Sequence, residues 1–312
     1  MGLLDRLFGP LRRPEGIALA LGGGGARGLA HVGVLEVVEE AGVPIAAIAG
    51  TSAGAVVGAM WLALGSTAAV IERWRAFLAA GIAPELPDVR LTDAVSSRDN
   101  PILHFARRVR NGAAIALALE RTSLVTHAQL EGALAFLVPD VDLRSLRLPF
   151  AAVATDFESG EPVALERGPL LAALAASSAI PAVVPPYTLA GRSLVDGGTV
   201  ADVPVSQARA LARRPVVAVE VGDRWGADDP EAITLPRAML RGNAMTHRAL
   251  RESLLREADL VLRPRVGDAH WSEFGRFDEL RAAGRDAARV AVHRMAALAL
   301  RRRSGPATAP ED

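Results

Sequence analysis

The chain has 312 residues, half of them apolar, which is enough for a sizeable core and excludes an intrinsically disordered protein. Basic and acidic residues both number 35, so the formal net charge is zero and the basic excess of a dedicated nucleic-acid binder is missing. There is no cysteine, hence no disulfide, thiolate metal site or cysteine nucleophile, and no lysine, hence no Schiff base and no P-loop lysine.

Residues 1–13, MGLLDRLFGPLRR, lack the long apolar run and small-residue cleavage site of a secretory signal. Leu3, Leu4, Leu7 and Phe8 oppose Asp5, Arg6, Arg12 and Arg13 in one short amphipathic turn. A chain start packed on the domain outweighs a membrane contact there. Residues 17–21 read as an apolar strand, 22–28 as a glycine loop, and 29–41 as a helix closed by Gly42 and Pro44. No charge falls between Glu40 and Glu72, but Pro44, Gly50, Gly54, Gly58 and Gly65 interrupt the run. It reads as a buried strand at 45–49, a tight turn and a core helix at 53–64, rather than a membrane span.

This β-α-β-α opening predicts an α/β fold with a mainly parallel sheet covered on both faces. Helical patterning continues at 66–80 and, after the turn-rich stretch 81–100, at 101–137; the whole middle region has the makings of a cap over a site. Strands follow at 149–156, 162–166, 193–195 and 215–221, with helices at 169–178, 236–258 and 276–303. The Pro/Ala-rich tail 304–312 reads as disordered, which leaves one domain over residues 14–303.

Gly50-Thr51-Ser52-Ala53-Gly54 fits G-x-S-x-G between a strand and a helix, the context of a nucleophile elbow. Here Ser52 would be exposed on a strained turn, with a helix N-terminus behind it. The plainer alternative is an N-cap serine. In the loop Gly22–Gly28, consecutive glycines offer backbone N–H groups to an oxyanion. Gly23, Gly25 and Gly28 also satisfy G-x-G-x-x-G, so a nucleotide-binding oxidoreductase is the rival. That fingerprint wants an acid at the end of the second strand, where Gly50-Thr51-Ser52 stands instead. Asp196-Gly197-Gly198 follows a short strand; alone it is an ordinary turn. His247, His270 and His293 follow Asp196 without any motif, and His31 reads as a packing residue.

Four blocks, LGGGGARGLAHVGVL (21–35), AGTSAGAVVGA (49–59), ASSAIPAVVPP (176–186) and DGGTVADVP (196–204), together with ATDFESGEPV (154–163), resemble the patatin-like phospholipases, in particular the bacterial branch related to neuropathy target esterase. The resemblance implies a three-layer α/β/α sandwich. It implies a serine acyl hydrolase working on phospholipid or lysophospholipid esters with no cofactor or metal, with Ser52 as nucleophile and Asp196 as base. The oxyanion hole would come from Gly23, Gly24 and Gly25, chiefly the latter two, with a positive φ at Gly24. Arg27, Gly28, Gly50, Gly54, Gly197 and Gly198 would support these motifs. Gly22, Val184 and Ala201 depart from frequent family residues, and Ala201 bears on how the Asp196 loop is held. A catalytically inactive, regulatory member of the fold is a further alternative. Residues 115–119 and 134–138 are apolar enough to line an acyl channel, with plain helix packing weighed above it. The expected location is cytoplasmic, with weak peripheral contact at the inner membrane surface through residues 3–13 and the arginines at 107, 108, 110 and 301–303.

Overall fold

A computed structural model describes residues 16–82, 123–222 and 235–300. The segments 1–13, 115–119 and 304–312 and the arginines at 107–110 and 301–303 lie outside the described residues. Among the described residues eight strands make one sheet: β1 (Ile17–Leu21), β2 (Ile45–Thr51), β3 (Phe150–Asp156), β4 (Pro162–Leu165), β5 (Tyr187–Leu189), β6 (Arg192–Asp196), β7 (Val216–Val219) and β8 (Leu260–Leu262). They run in the order β5-β6-β3-β2-β1-β7-β8, with β4 also paired to β3. From β3 through β2, β1 and β7 to β8 every pairing is parallel; β4, β5 and β6 pair antiparallel.

Burial on both faces removes the polar alternation of a one-sided sheet, and β1, β2 and β3 are buried throughout. Side-chain size alternates instead. Ile17, Leu19 and Leu21 join the main core, while Ala18 and Ala20 face a second cluster with Val205, Ala208 and Leu255. The large face is covered by α1 (Ala30–Glu40), α2 (Ala53–Leu64), α3 (Thr67–Ala79), α4 (His127–Leu137), α5 (Leu170–Ser177) and α8 (Phe277–Leu300). The alanine face takes α6 (Val205–Ala212) and the end of α7 (Leu235–Leu255). The result is the expected three-layer sandwich.

Two details fix the ends of the sheet where the site forms. Helix α8 lies along α1 at backbone contact: a Cβ on Gly33 would collide with Arg281 O, and one on Gly284 with Ala30 O. Ion pairs of Arg281 and Arg285 with Glu36 brace that crossing. On β3, residues 152–155 pair with β4 and residues 150–153 with β2, so β4 and β2 lie on opposite edges. Strand β6 pairs with residues 154–156, which overlaps β4; it therefore takes β2's edge where β2 stops. Thr51 stands opposite Val153 and Asp196 opposite Ala154, so two residues 145 positions apart in sequence end on neighbouring rungs of one strand.

Among the described residues no single helix is long and apolar enough to cross a membrane. The charge-free run folds as α2, largely buried, bent by 119° from α3.

Candidate active site

Ser52 connects β2 to α2 with φ 51 and ψ −123, a left-handed conformation that only glycine adopts freely. The chain can turn this sharply because its neighbours have no side chains. A Cβ on Gly54 would collide with Leu21 O, and one on Gly50 would lie 2.5 Å from Ala55 Cα. Gly28 plays the same part from the other side, where a Cβ would sit 2.5 Å from that of Ala53. The Ser52 side chain lies beside the Asp196 carboxylate and lowers its pKa, and Gly198 N donates to Asp196 Oδ1 at 2.7 Å. Burial pushes the Asp196 carboxyl up to about 6, against the pull of Ser52 and of the Gly198 amide; Asp202 adds to the rise.

The backbone of Asp196 is fixed from both sides, by its N–H to Ala179 O (2.9 Å) and by Thr155 Oγ1 donating to its carbonyl (3.2 Å). Gly197 packs against Val153 O. The Ala201 departure leaves this loop intact, because the link there is made by backbone. Ala201 N donates to Gly197 O (2.8 Å), and Ala201 O accepts from Thr51 Oγ1 (2.8 Å).

The glycine loop lies beside the serine, with one difference from expectation. Gly23 N donates to Asp202 O at 2.9 Å, so its amide is committed to the fold and leaves the oxyanion set. Among the described residues the amides of Gly24 and Gly25 have no such partner. The left-handed glycine of the loop is Gly25 (φ 58); Gly24, at φ 162 and ψ 9, lies outside that region. Arg27 Nε donates to Gly24 O at 3.3 Å, the loop-ordering contact its motif position implies.

Histidine is not part of this constellation among the described residues. His31 is buried, its pKa lowered to about 4 by that burial, so it is neutral and its Nε2–H donates to Gly22 O at 2.8 Å. His127 Nε2 pairs with Pro185 O and His270 Nδ1 with Ser272 Oγ.

Two residues escape sequence reasoning. Ser177, fully buried, accepts from Ser52 N at 2.9 Å and donates to Val153 O at 2.6 Å. It bolts the elbow to β3. The other is Asp202, which receives Gly23 N on its carbonyl and pairs with Arg251 Nε at 2.9 Å through its carboxylate. Arg251 in turn reaches Glu220 at 2.8 Å. Their only signals are membership of the 176–186 and 196–204 blocks. Ser177→Ala would leave the buried Ser52 amide without an acceptor, which costs roughly 1–3 kcal/mol. Urea unfolding is expected to show that loss, whereas Ser178→Ala should stay within ~0.5 kcal/mol, since Ser178 Oγ makes no hydrogen bond.

A cavity of about 140 Å³ opens at Ser52 and Gly25. Val56, Val57, Trp74, Phe77, Leu134 and Leu137 line it, together with Val184 and Trp271. Trp74 is held by stacking on Phe274 (centroids 6.1 Å apart) and by an edge contact with Phe77 (5.4 Å). Of residues 134–138, Leu134 and Leu137 pack α4 into the core and also line the cavity.

A strand-to-helix elbow carrying a serine, a buried aspartate on the next rung and an apolar chamber meet at one end of the α/β sandwich. The family model described as patatin-like phospholipase matches residues 19–209, more than half of the chain, and the chain belongs to that family. An NTE family protein of Mycobacterium tuberculosis is 35% identical over 190 residues, 61% of this chain and 44% of that protein. The human patatin-like phospholipase domain-containing protein 6 is 30% identical over 214 residues, 68% of this chain and 14% of that protein. The chain therefore spans less than half the length of either relative. Among solved structures, VipD from Legionella pneumophila has a TM-score of 0.46 and 15% identity over 91% of this chain and 67% of that one, too distant to carry an argument.

Proposed function

We propose that the protein is a serine acyl hydrolase that cleaves fatty acyl esters of phospholipids or lysophospholipids with a Ser52–Asp196 dyad. The observation that carries this reading is Ser52, on its left-handed turn, beside the buried Asp196 carboxylate and lining an apolar cavity. Asp196 accepts the Ser52 proton as Oγ attacks the ester carbonyl carbon. The oxyanion is held by the amides of Gly24 and Gly25. Collapse breaks the ester C–O bond, and the departing alkoxide takes the proton back from Asp196. Water, deprotonated by the same carboxylate, then attacks the acyl-enzyme and releases the fatty acid. The chamber walls of Val56, Trp74, Leu134 and Leu137 receive the acyl chain, whose transfer from water is worth ~0.8 kcal/mol per buried methylene.

A fluorophosphonate probe is expected to label Ser52 and to spare Ser177 and Ser178, with labelling lost in Ser52→Ala. Activity on p-nitrophenyl esters should rise with chain length until the cavity is filled. Labelling that persists in Ser52→Ala would overturn the assignment. Nucleotide binding to the wild type by calorimetry would favour the oxidoreductase alternative.

A further inference from the structure

Part of the cavity wall comes from beyond residues 19–209, the stretch that the family model covers. Residues 266–276 lead from β8 into α8: Val266 and Ala269 are buried in the main core, and Phe277 opens the helix. Arg276 ties the two legs of this loop together, pairing with Asp268 at 3.0 Å on one side and with Glu273 at 3.1 Å on the other. His270 N donates to Glu273 Oε2 at 3.0 Å, and Glu273 N donates to His270 O at 3.1 Å. The loop is thus tied into one unit. The tie to Asp268 is an exposed ion pair, its carboxylate side chain 93% open to solvent, and such pairs stabilise weakly. What joins the tip of the loop to the rest of the domain is its contact with the site.

Two aromatic residues make that contact. The carbonyl of Trp271 accepts from Ala26 N at 2.7 Å and occupies the space that a Cβ on Gly25 would need. Ala26 directly follows Gly24 and Gly25, so this bond sets the course of the backbone that carries their amides. Trp271 also lines the cavity. Phe274, three residues on, lines it too, and its ring stacks on that of Trp74 with centroids 6.1 Å apart. One short loop therefore meets both the wall of the cavity and the glycine loop beside Ser52.

We propose that this loop makes turnover depend on the acyl chain, with Trp271 as the residue that both senses the chain and positions the oxyanion loop. A fatty acyl chain packed against Trp271 and Phe274 holds the loop in place, and the Trp271 carbonyl passes that order to Gly24 and Gly25. An acetyl group leaves the cavity unfilled and the loop without that support. Contact remote from the reacting ester is then spent on the transition state and raises kcat. A wall that merely bound the chain would lower KM and leave kcat alone. The inference rests on the hydrolase reading, with the oxyanion held by the Gly24 and Gly25 amides.

The test is steady-state kinetics of the full chain on p-nitrophenyl esters from acetate to decanoate, with kcat and KM measured separately. In the wild type kcat is expected to rise about tenfold or more from acetate to the chain that fills the cavity, less than the worth of one oxyanion donor. Trp271→Ala should flatten that rise to about threefold or less, whereas Trp271→Phe, which keeps an aromatic wall and the same carbonyl, should retain most of it. Phe274→Ala should flatten it as well, and it decides the matter should Trp271→Ala fail to fold. A folded Trp271→Ala or Phe274→Ala protein with the wild-type rise in kcat and only a higher KM would overturn the proposal, because the loop would then be a wall and nothing more. So would a wild-type kcat that is the same for every chain length. Wild-type protein that hydrolyses none of these esters would remove the hydrolase reading and this inference with it, a result distinct from a chain-length effect that survives in the variants.

Discussion

Asp196→Asn is expected to abolish turnover and, at pH 8, to make the protein more stable. The first effect follows from the proton. An amide cannot take the Ser52 proton, and among the described residues no histidine bonds to Ser52 or Asp196 to replace it, so kcat should fall by ~10⁴-fold, the upper range for a general base. The second follows from burial. The carboxyl is raised from 3.8 to about 6 because ionisation in this buried position is unfavourable. The unfolded chain therefore ionises first. The stability this group contributes is complete below pH ~3.8 and is lost as pH rises through about 6. About two pKa units at 1.36 kcal/mol each give a loss of ~3 kcal/mol at pH 8. Asparagine keeps the acceptor for Gly198 N and escapes that loss. The same shift sets the pH profile. Only the carboxylate can act as base, so kcat/KM for a soluble ester should fall tenfold per unit below pH ~6 and level off above it. Asp202→Asn should move that limb to lower pH, because Asp202 is a nearby acidic group that raises Asp196. Tm and pH–rate measurements check both. An Asp196→Asn protein with a tenth of wild-type turnover, or a lower Tm at pH 8, would count against the role given to this residue.

The sequence makes the centre of this site legible because its constraints are local. The elbow needs glycine on both sides of Ser52 and a helix directly after it, all between Gly50 and Leu64. The helix predicted at 53–64 is the one observed, closed by Gly65 at φ 90. Strands β1 and β3 are recognisable as apolar runs for the same reason. What is not legible depends on pairing at a distance. Strands β5 and β8 have three residues each, too few for any period, and exist because β6 and β7 offer them an edge. Asp196 reads as a plain turn residue until the registers of β2 and β6 on β3 bring it beside Ser52. Ser177 sits at the end of an alanine-rich helix, and nothing near it in sequence signals that its hydroxyl serves an amide 125 residues away. Gly23 shows the opposite error. A motif of consecutive glycines displays every amide alike, and only the position of Asp202 O tells which one is already taken.

Gly25→Ala is expected to damage catalysis more than Gly24→Ala, the reverse of what a positive φ at Gly24 would predict. A methyl group on Gly25 meets the carbonyl of Trp271, and backbone cannot rotate away as a side-chain tip can. That carbonyl is also committed, since it accepts from Ala26 N at 2.7 Å. The left-handed φ of 58 adds ~1–2 kcal/mol for any residue with a Cβ. The loop must therefore shift, and the Gly24 and Gly25 amides shift with it. Losing one well-placed oxyanion donor costs ~10²–10³-fold in kcat. Trp271 also lines the cavity, so KM for long-chain esters should rise while KM for acetate esters changes little. At Gly24 the φ of 162 lies outside the left-handed region, and an added Cβ lies 3.0 Å from Val221 Cγ2 and 3.1 Å from Val221 O. Those neighbours need move only a few tenths of an ångström, so a kcat loss of about tenfold or less is expected there. Steady-state kinetics over a series of chain lengths, on proteins shown to be folded by circular dichroism, separate the two. A Gly25→Ala protein within threefold of wild-type kcat would mean that this loop does not supply the oxyanion hole.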